Sequence, residues 1–194
     1  MNNLKFKNKK LFIETTSIKK LAEKFKTPFY CYSSNTIINK YKEFELPFKN
    51  SDTIICYAVK ANPNIAILKI LSRLGAGAEV VSGGELVRAL KAGINPKKVV
   101  FSGVGKKASE IQLAIKKNIF QINIESIEEL ELIINIAKSL KKKIQIGIRI
   151  NPNIDAKTHT KISTGRKEDK FGLSTEIAEE IFLNYRSNPY VNII

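Results

Sequence analysis

Histidine and cysteine are nearly absent from this chain. One histidine, His159, and two cysteines, Cys31 and Cys56, occur among 194 residues. Metal centres draw mainly on such residues in close spacing, so no metal is expected. The two cysteines lie in separate apolar, strand-like segments and read as reduced thiols of a cytoplasmic protein. Long apolar runs are missing too: none approaches the about 18 residues of a membrane span. Met1 to Lys10 is basic and polar, with no apolar core or small-residue cleavage site. No secretory signal and no membrane partner are expected. Acidic residues are scarce beside basic ones, 18 against 33, for a net charge of +15. Such an excess raises nucleic-acid binding. The lysines are nonetheless spread over helix surfaces, with short clusters at Lys7-Asn8-Lys9-Lys10, Lys97-Lys98, Lys106-Lys107 and Lys141-Lys142-Lys143. The chain is rich in Ile and Asn throughout and carries no nucleic-acid-binding motif. A compositional bias is the simpler reading, and no nucleic-acid partner is expected.

What is present is a regular alternation of short apolar runs and amphipathic stretches. Strands are predicted over 53–59, 78–81, 99–101, 120–125, 144–150 and 191–194. Helices are predicted over 65–74, 84–91, 109–117, 126–140 and 174–185. Ser126, with Glu129 three residues on, forms a capping box. This repeated β-α unit predicts a parallel sheet. In Phe120 to Glu125 the apolar residues alternate with Gln121, Asn123 and Glu125. In Ile144 to Ile150 they alternate with Gln145, Gly147 and Arg149. A flat parallel sheet covered on both faces would be apolar on both. One polar face per strand fits a β/α barrel, isoleucines beneath the helices and polar groups inward; an open doubly wound sheet is the alternative. A complete barrel has eight strands and about 250 residues. About six strands are visible here, so the chain is expected to be part of something longer.

Lys60 ends the first apolar run, in Tyr57-Ala58-Val59-Lys60-Ala61-Asn62. A lysine at the end of a buried strand carries a costly ammonium, so a neutral amine with a covalent role is one reading. Schiff-base chemistry with an aldehyde is the main such role. A lysine snorkelling from a strand end is the other.

The same six residues resemble the lysine motif of the fold-type III pyridoxal-phosphate decarboxylases, alanine-racemase-like barrels that act on basic amino acids. Four further segments match in order and spacing: Gly77 to Leu86, Val100 to Lys106, Arg149 to Pro152, and His159 to Gly165 leading to Lys170-Phe171-Gly172. The resemblance covers the chain from about Thr27. Ser82-Gly83-Gly84-Glu85-Leu86 and His159-Thr160-Lys161-Ile162-Ser163-Thr164-Gly165 favour the diaminopimelate branch of that family over the ornithine and arginine branches.

The resemblance implies decarboxylation of meso-2,6-diaminopimelate to L-lysine, with pyridoxal 5'-phosphate as cofactor and Lys60 as its Schiff-base lysine. It implies an alanine-racemase-type (β/α)8 TIM barrel, incomplete here, with a C-terminal β-domain missing. Residues 1–33 are then an N-terminal segment whose strand, Phe29 to Ser33, belongs to that β-domain. Residues 34–194 are the partial barrel. Glu79 resembles an acid close to the cofactor lysine, where it can hold or shuttle the amine proton; an outward strand-end carboxylate is the alternative. Arg149 resembles an arginine that organises polar groups under the cofactor, against a surface ion pair. Glu85 reads as a first-turn helix glutamate serving the helix dipole. The long loop from Asp155 to Gly172 is implied to cover the active site, with Ile162 and Thr164 beside the substrate. His159 is read as a structural loop residue rather than a catalytic base. Lys170 resembles a lysine near a dimer interface, and a homodimer is implied. The family's ring-stacking histidine, glycine-rich phosphate loop and pyridine-pairing acid have no counterpart in these 194 residues. The chain alone is therefore expected to be inactive. A single-barrel pyridoxal-phosphate carrier without catalysis is the remaining reading within this fold.

Overall fold

In a computed structural model the described residues are 3–154 and 171–194. The chain opens with an antiparallel meander of β1 (Leu4–Lys7), β2 (Lys10–Ile13) and β3 (Thr16–Ser17). Lys7 faces Lys10, leaving Asn8 and Lys9 as a two-residue turn, both at positive φ. That is the turn geometry which matches strand twist in a hairpin. Helix α1 (Ile18–Phe25) follows, then α2 (Ser34–Glu45). Glu14 joins the meander to α2. Its carboxylate accepts from Ser33 Oγ at 2.6 Å and from the Asn35 backbone N–H at 3.0 Å. These bonds, the Ser33 hydroxyl first, hold the Glu14 carboxyl below the ordinary glutamate range. The strands of the N-terminal segment are β1 to β3, and residues 29–33, expected as a strand of a β-domain outside this chain, pair with no strand among the described residues.

Six parallel strands form the second sheet. They are β4 (Cys56–Ala58), β5 (Gly77–Val80), β6 (Val99–Phe101), β7 (Gln121–Ile124), β8 (Ile144–Ile148) and β9 (Val191–Ile193). Their order in space is their order in sequence. A doubly wound sheet reverses its order at a switch point, whereas a barrel does not. The connecting helices are α3 (Ile65–Arg73), α4 (Gly83–Lys91), α5 (Ala108–Lys116), α6 (Ile127–Ser139) and α7 (Thr175–Tyr185).

The period-two alternation decides which face is covered. Val80, Phe101, Ile122 and Ile146 lie on one ladder row, and each is 0% exposed. They pack against Leu68, Leu86, Ile111, Leu130 and Ile133 of the helices. The opposite face carries Ala58, Glu79, Val100, Gln121, Gln145 and Asn192, a single in-register row across all six strands. The structure is thus a six-strand segment of a β/α barrel with a polar interior.

First-turn glutamates stitch each unit to its loop. Ser82 caps α4 while Glu85 Oε2 accepts from the Val81 N–H at 2.8 Å. Ser126 caps α6 while Glu129 Oε2 accepts from the Glu125 N–H at 2.9 Å. Glu110 of α5 accepts from the Gly83 N–H at 2.6 Å, tying one unit to the next. Lys106 adds a buried ion pair. Its side chain is 1% exposed, and Nζ donates at 2.7 Å to Glu129 Oε1 and to the carbonyl oxygens of Gly103 and Asn123. All three ammonium hydrogens are therefore used. Lys106→Met keeps the stem but leaves the Glu129 carboxylate and two carbonyls without their donor. The expected cost is about 3–5 kcal/mol, read as a lower urea midpoint at unchanged m value.

Candidate active site

Strands of a β/α barrel end at one mouth, and the groups that do chemistry collect there. Lys60 arrives by a short turn. Strand β4 stops at Ala58, earlier than the sequence reading expects, and Val59–Ala61 forms a 3-10 turn. That turn sends Val59, 0% exposed, into the core beneath the helices. It leaves Lys60 exposed at the mouth, so the expected burial of the lysine does not occur. Among the described residues, nothing hydrogen-bonds or ion-pairs with its amine.

Glu79 faces Ala58 in register on the interior row and is half-buried. This is the inward placement, not the outward strand-end alternative. Cys56 shares that face. Burial pushes the Cys56 thiol up, and the neighbouring Glu79 charge adds to the shift. Gly77 beside it is obligatory, because a Cβ there would collide with the Lys98 carbonyl oxygen and come within 2.8 Å of Cys56 Sγ.

Arg149 lies just past β8 and Glu125 just past β7. One guanidinium nitrogen of Arg149 donates to both Glu125 oxygens, at 2.9 and 3.1 Å. The Glu125 side chain is 4% exposed and that of Arg149 is 38% exposed, so the pair is half sunk rather than a surface contact. The Arg149 guanidinium also lies 5.0 Å from the centre of the Phe171 ring, within cation–π range. Glu85 stays in its capping role. His159, Ile162, Thr164 and Lys170 fall outside the described residues.

Several residues in this region carry roles that the sequence reading does not assign. Gln121 Nε2 donates to Asn123 Oδ1 at 2.5 Å, and Asn123 Nδ2 donates to Ser102 Oγ at 3.0 Å. Both amides lie across Gly147, where any Cβ would collide with Gln121 and Asn123. The alternation of Gln121, Asn123 and Glu125 marks their shared face, but nothing in it indicates this bonding. Lys106 is visible in sequence only as one half of a lysine pair.

The structure is a sequential parallel barrel segment with Lys60 exposed just past its first strand and, among the described residues, without a hydrogen-bond or ion-pair partner for its amine. The chain belongs to the family described as pyridoxal-dependent decarboxylase, pyridoxal binding domain, whose model matches residues 34–194. It is 54% identical over 171 residues to the diaminopimelate decarboxylase of Helicobacter pylori strain J99, covering 88% of this chain and 42% of that one. The crystal structure of diaminopimelate decarboxylase from Helicobacter pylori complexed with L-lysine superposes at TM-score 0.88 and 49% identity, covering 91% of this chain and 45% of that one. Diaminopimelate decarboxylase from M. jannaschii, in co-complex with L-lysine, superposes at 0.89 and 42% identity, covering 100% of this chain and 46% of that one. The chain spans less than half the length of these relatives.

Thiol chemistry separates the two cysteines. Cys31 is exposed and Cys56 is half-buried with a raised thiol pKa. A raised pKa lowers the thiolate fraction at neutral pH, and the thiolate is the reactive form. With a chromogenic disulfide reagent at pH 7.5, Cys31 is expected to react first. Cys56 should follow slowly and accelerate as pH rises; Cys56→Ser identifies its phase.

Proposed function

We propose that this chain is the cofactor-binding part of a diaminopimelate decarboxylase, which converts meso-2,6-diaminopimelate to L-lysine. The observation that carries the reading is the Lys60 amine, exposed and, among the described residues, without a partner at the mouth of a barrel of the pyridoxal-binding family. An amine so placed fits a carbonyl cofactor, since condensation needs an unpartnered nitrogen that the aldehyde can reach. Pyridoxal 5'-phosphate, when bound, supplies the electron sink that makes loss of carbon dioxide feasible.

The chain's own residues then divide the remaining work. Lys60 would hold the cofactor through its amine. Glu79, inward and one strand away, is the group that holds or passes the amine proton. Arg149, steadied by the buried Glu125 carboxylate, would organise the polar groups that receive the cofactor. The relatives' names support diaminopimelate as the substrate. A homodimer in the cytoplasm belongs to the same proposal, with Ile162, Thr164 and His159 in a covering loop and Lys170 at the subunit contact. So does the division into an N-terminal segment, 1–33, and a partial barrel, 34–194.

The test is carbon dioxide release from meso-diaminopimelate by the longest product of the gene, with ornithine and arginine alongside. Release from diaminopimelate alone, falling to background in Lys60→Ala, is expected. The 194-residue chain by itself is expected to show no turnover. Release from ornithine or arginine instead would overturn the substrate assignment. A reducible pyridoxal adduct on Lys60 with no release from any of the three would overturn the decarboxylase and leave a cofactor carrier.

A further inference from the structure

The interior amide chain runs in one direction and ends on a hydroxyl. Gln121 donates to Asn123, and Asn123 donates to Ser102 Oγ. A serine hydroxyl has one hydrogen to give and two lone pairs to receive. Ser102 Oγ uses a lone pair for Asn123, and among the described residues it donates to nothing. Its hydrogen is therefore available to the barrel interior. Half-buried polar hydrogens favour an acceptor, because leaving one unpaired away from water is costly.

The ladder places this hydroxyl one interior step beyond the row that ends on Ala58, where β4 gives way to the turn carrying Lys60. Ala58, Glu79, Val100 and Gln121 lie on one interior row. Ser102 N–H bonds to the Val80 carbonyl at 2.8 Å, continuing the β5–β6 ladder one step. One interior step beyond that row come Val81, Ser102 and Asn123, while Lys60 is two residues past Ala58. Ser102 thus lies two strand spacings from the strand that leads into Lys60, about 10 Å at ordinary sheet geometry. A lysine stem carrying a substituted ring spans such a gap. The two amides occupy the space over Gly147 that a Cβ there would enter, and their mutual hydrogen bond together with the one to Ser102 fixes their orientation.

We infer that Ser102, oriented by Gln121 and Asn123, is a positioning residue that donates its hydroxyl hydrogen to an oxygen of the carbonyl ligand carried on Lys60. This rests on the pyridoxal reading above. Its chemistry calls for an oxygen acceptor, not a cation, because each link in the chain points its hydrogens toward the ligand. Glu79 and Arg149 act on protons and charge; Ser102 sets the tilt of the ring.

The test uses the longest gene product loaded with pyridoxal 5'-phosphate, comparing Ser102→Thr with Ser102→Val. The two replacements have the same shape and differ in a hydroxyl. About tenfold weaker cofactor retention is expected for the valine variant, with the threonine variant near wild type, as loss of one good hydrogen bond gives. The visible absorption of the bound chromophore should shift in the valine variant alone, a readout that a purely structural role would not move. Equal retention and equal spectra in the two variants would overturn the assignment. Borohydride reduction and peptide mapping run in parallel. Failure of wild type to form an adduct on Lys60 would overturn the pyridoxal reading and this inference together. An adduct in every variant, with no difference between threonine and valine, would overturn the Ser102 role alone. Should the branched residues fail to melt cooperatively, Ser102→Ala against wild type makes the same comparison.

Discussion

A buried ammonium at the mouth holds this architecture in register. Lys106 reaches the loop after β6, the end of β7 and the first turn of α6, satisfying all three of its hydrogens. A lysine sunk to 1% exposure is tolerable only when fully paired, so the three segments are fixed relative to one another. Those segments carry Ser102, Asn123 and Glu125. Their side chains make up much of the candidate site, so its geometry depends on a residue whose amine is committed to structural partners.

The capping glutamates extend the same logic around the ring. Glu85, Glu110 and Glu129 each turn back to a backbone amide at or just before the N-cap of their own helix. Carboxylates at helix N-termini are favoured by the helix dipole, and here that preference also clamps the β-α loops. With the loops clamped at the mouth and isoleucines filling the space under the helices, the interior row can stay polar. Its cost is met by pairing among neighbours: Arg149 with Glu125, Gln121 with Asn123, Asn123 with Ser102.

Much of this was legible in the residues. The alternation in Gln121 to Glu125 and in Gln145 to Arg149 pointed to a barrel rather than a flat sheet, and the sequential strand order agrees. Most strand and helix bounds fell within a residue or two, because hydrophobic period and serine caps are local signals. The first strand is shorter than the run that announces it. Thr53 to Val59 is uniformly apolar, yet ladder bonding starts at Cys56 and gives way to a turn after Ala58. The N-terminal meander and α2 were not anticipated. Short exposed strands such as Leu4–Lys7 bury too little for a clear period. Lys60 is legible from its motif, not from burial, which the turn removes. The roles of Lys106, Ser102 and Asn123 were not legible, since each depends on partners 17 to 23 residues away that only the parallel register brings together.

The strict neighbour order of β4 to β9 bears on how the chain is made as well as on what it does. Each new strand pairs with the one synthesised just before it, and each connecting helix covers the seam between them. A ribosome delivers residues at roughly 5–20 per second, slow against the microseconds that helices and hairpins require. Every β-α unit can therefore meet the strand made just before it as it leaves the exit tunnel. Assembly becomes vectorial, with the lysine-bearing strand as its founding edge.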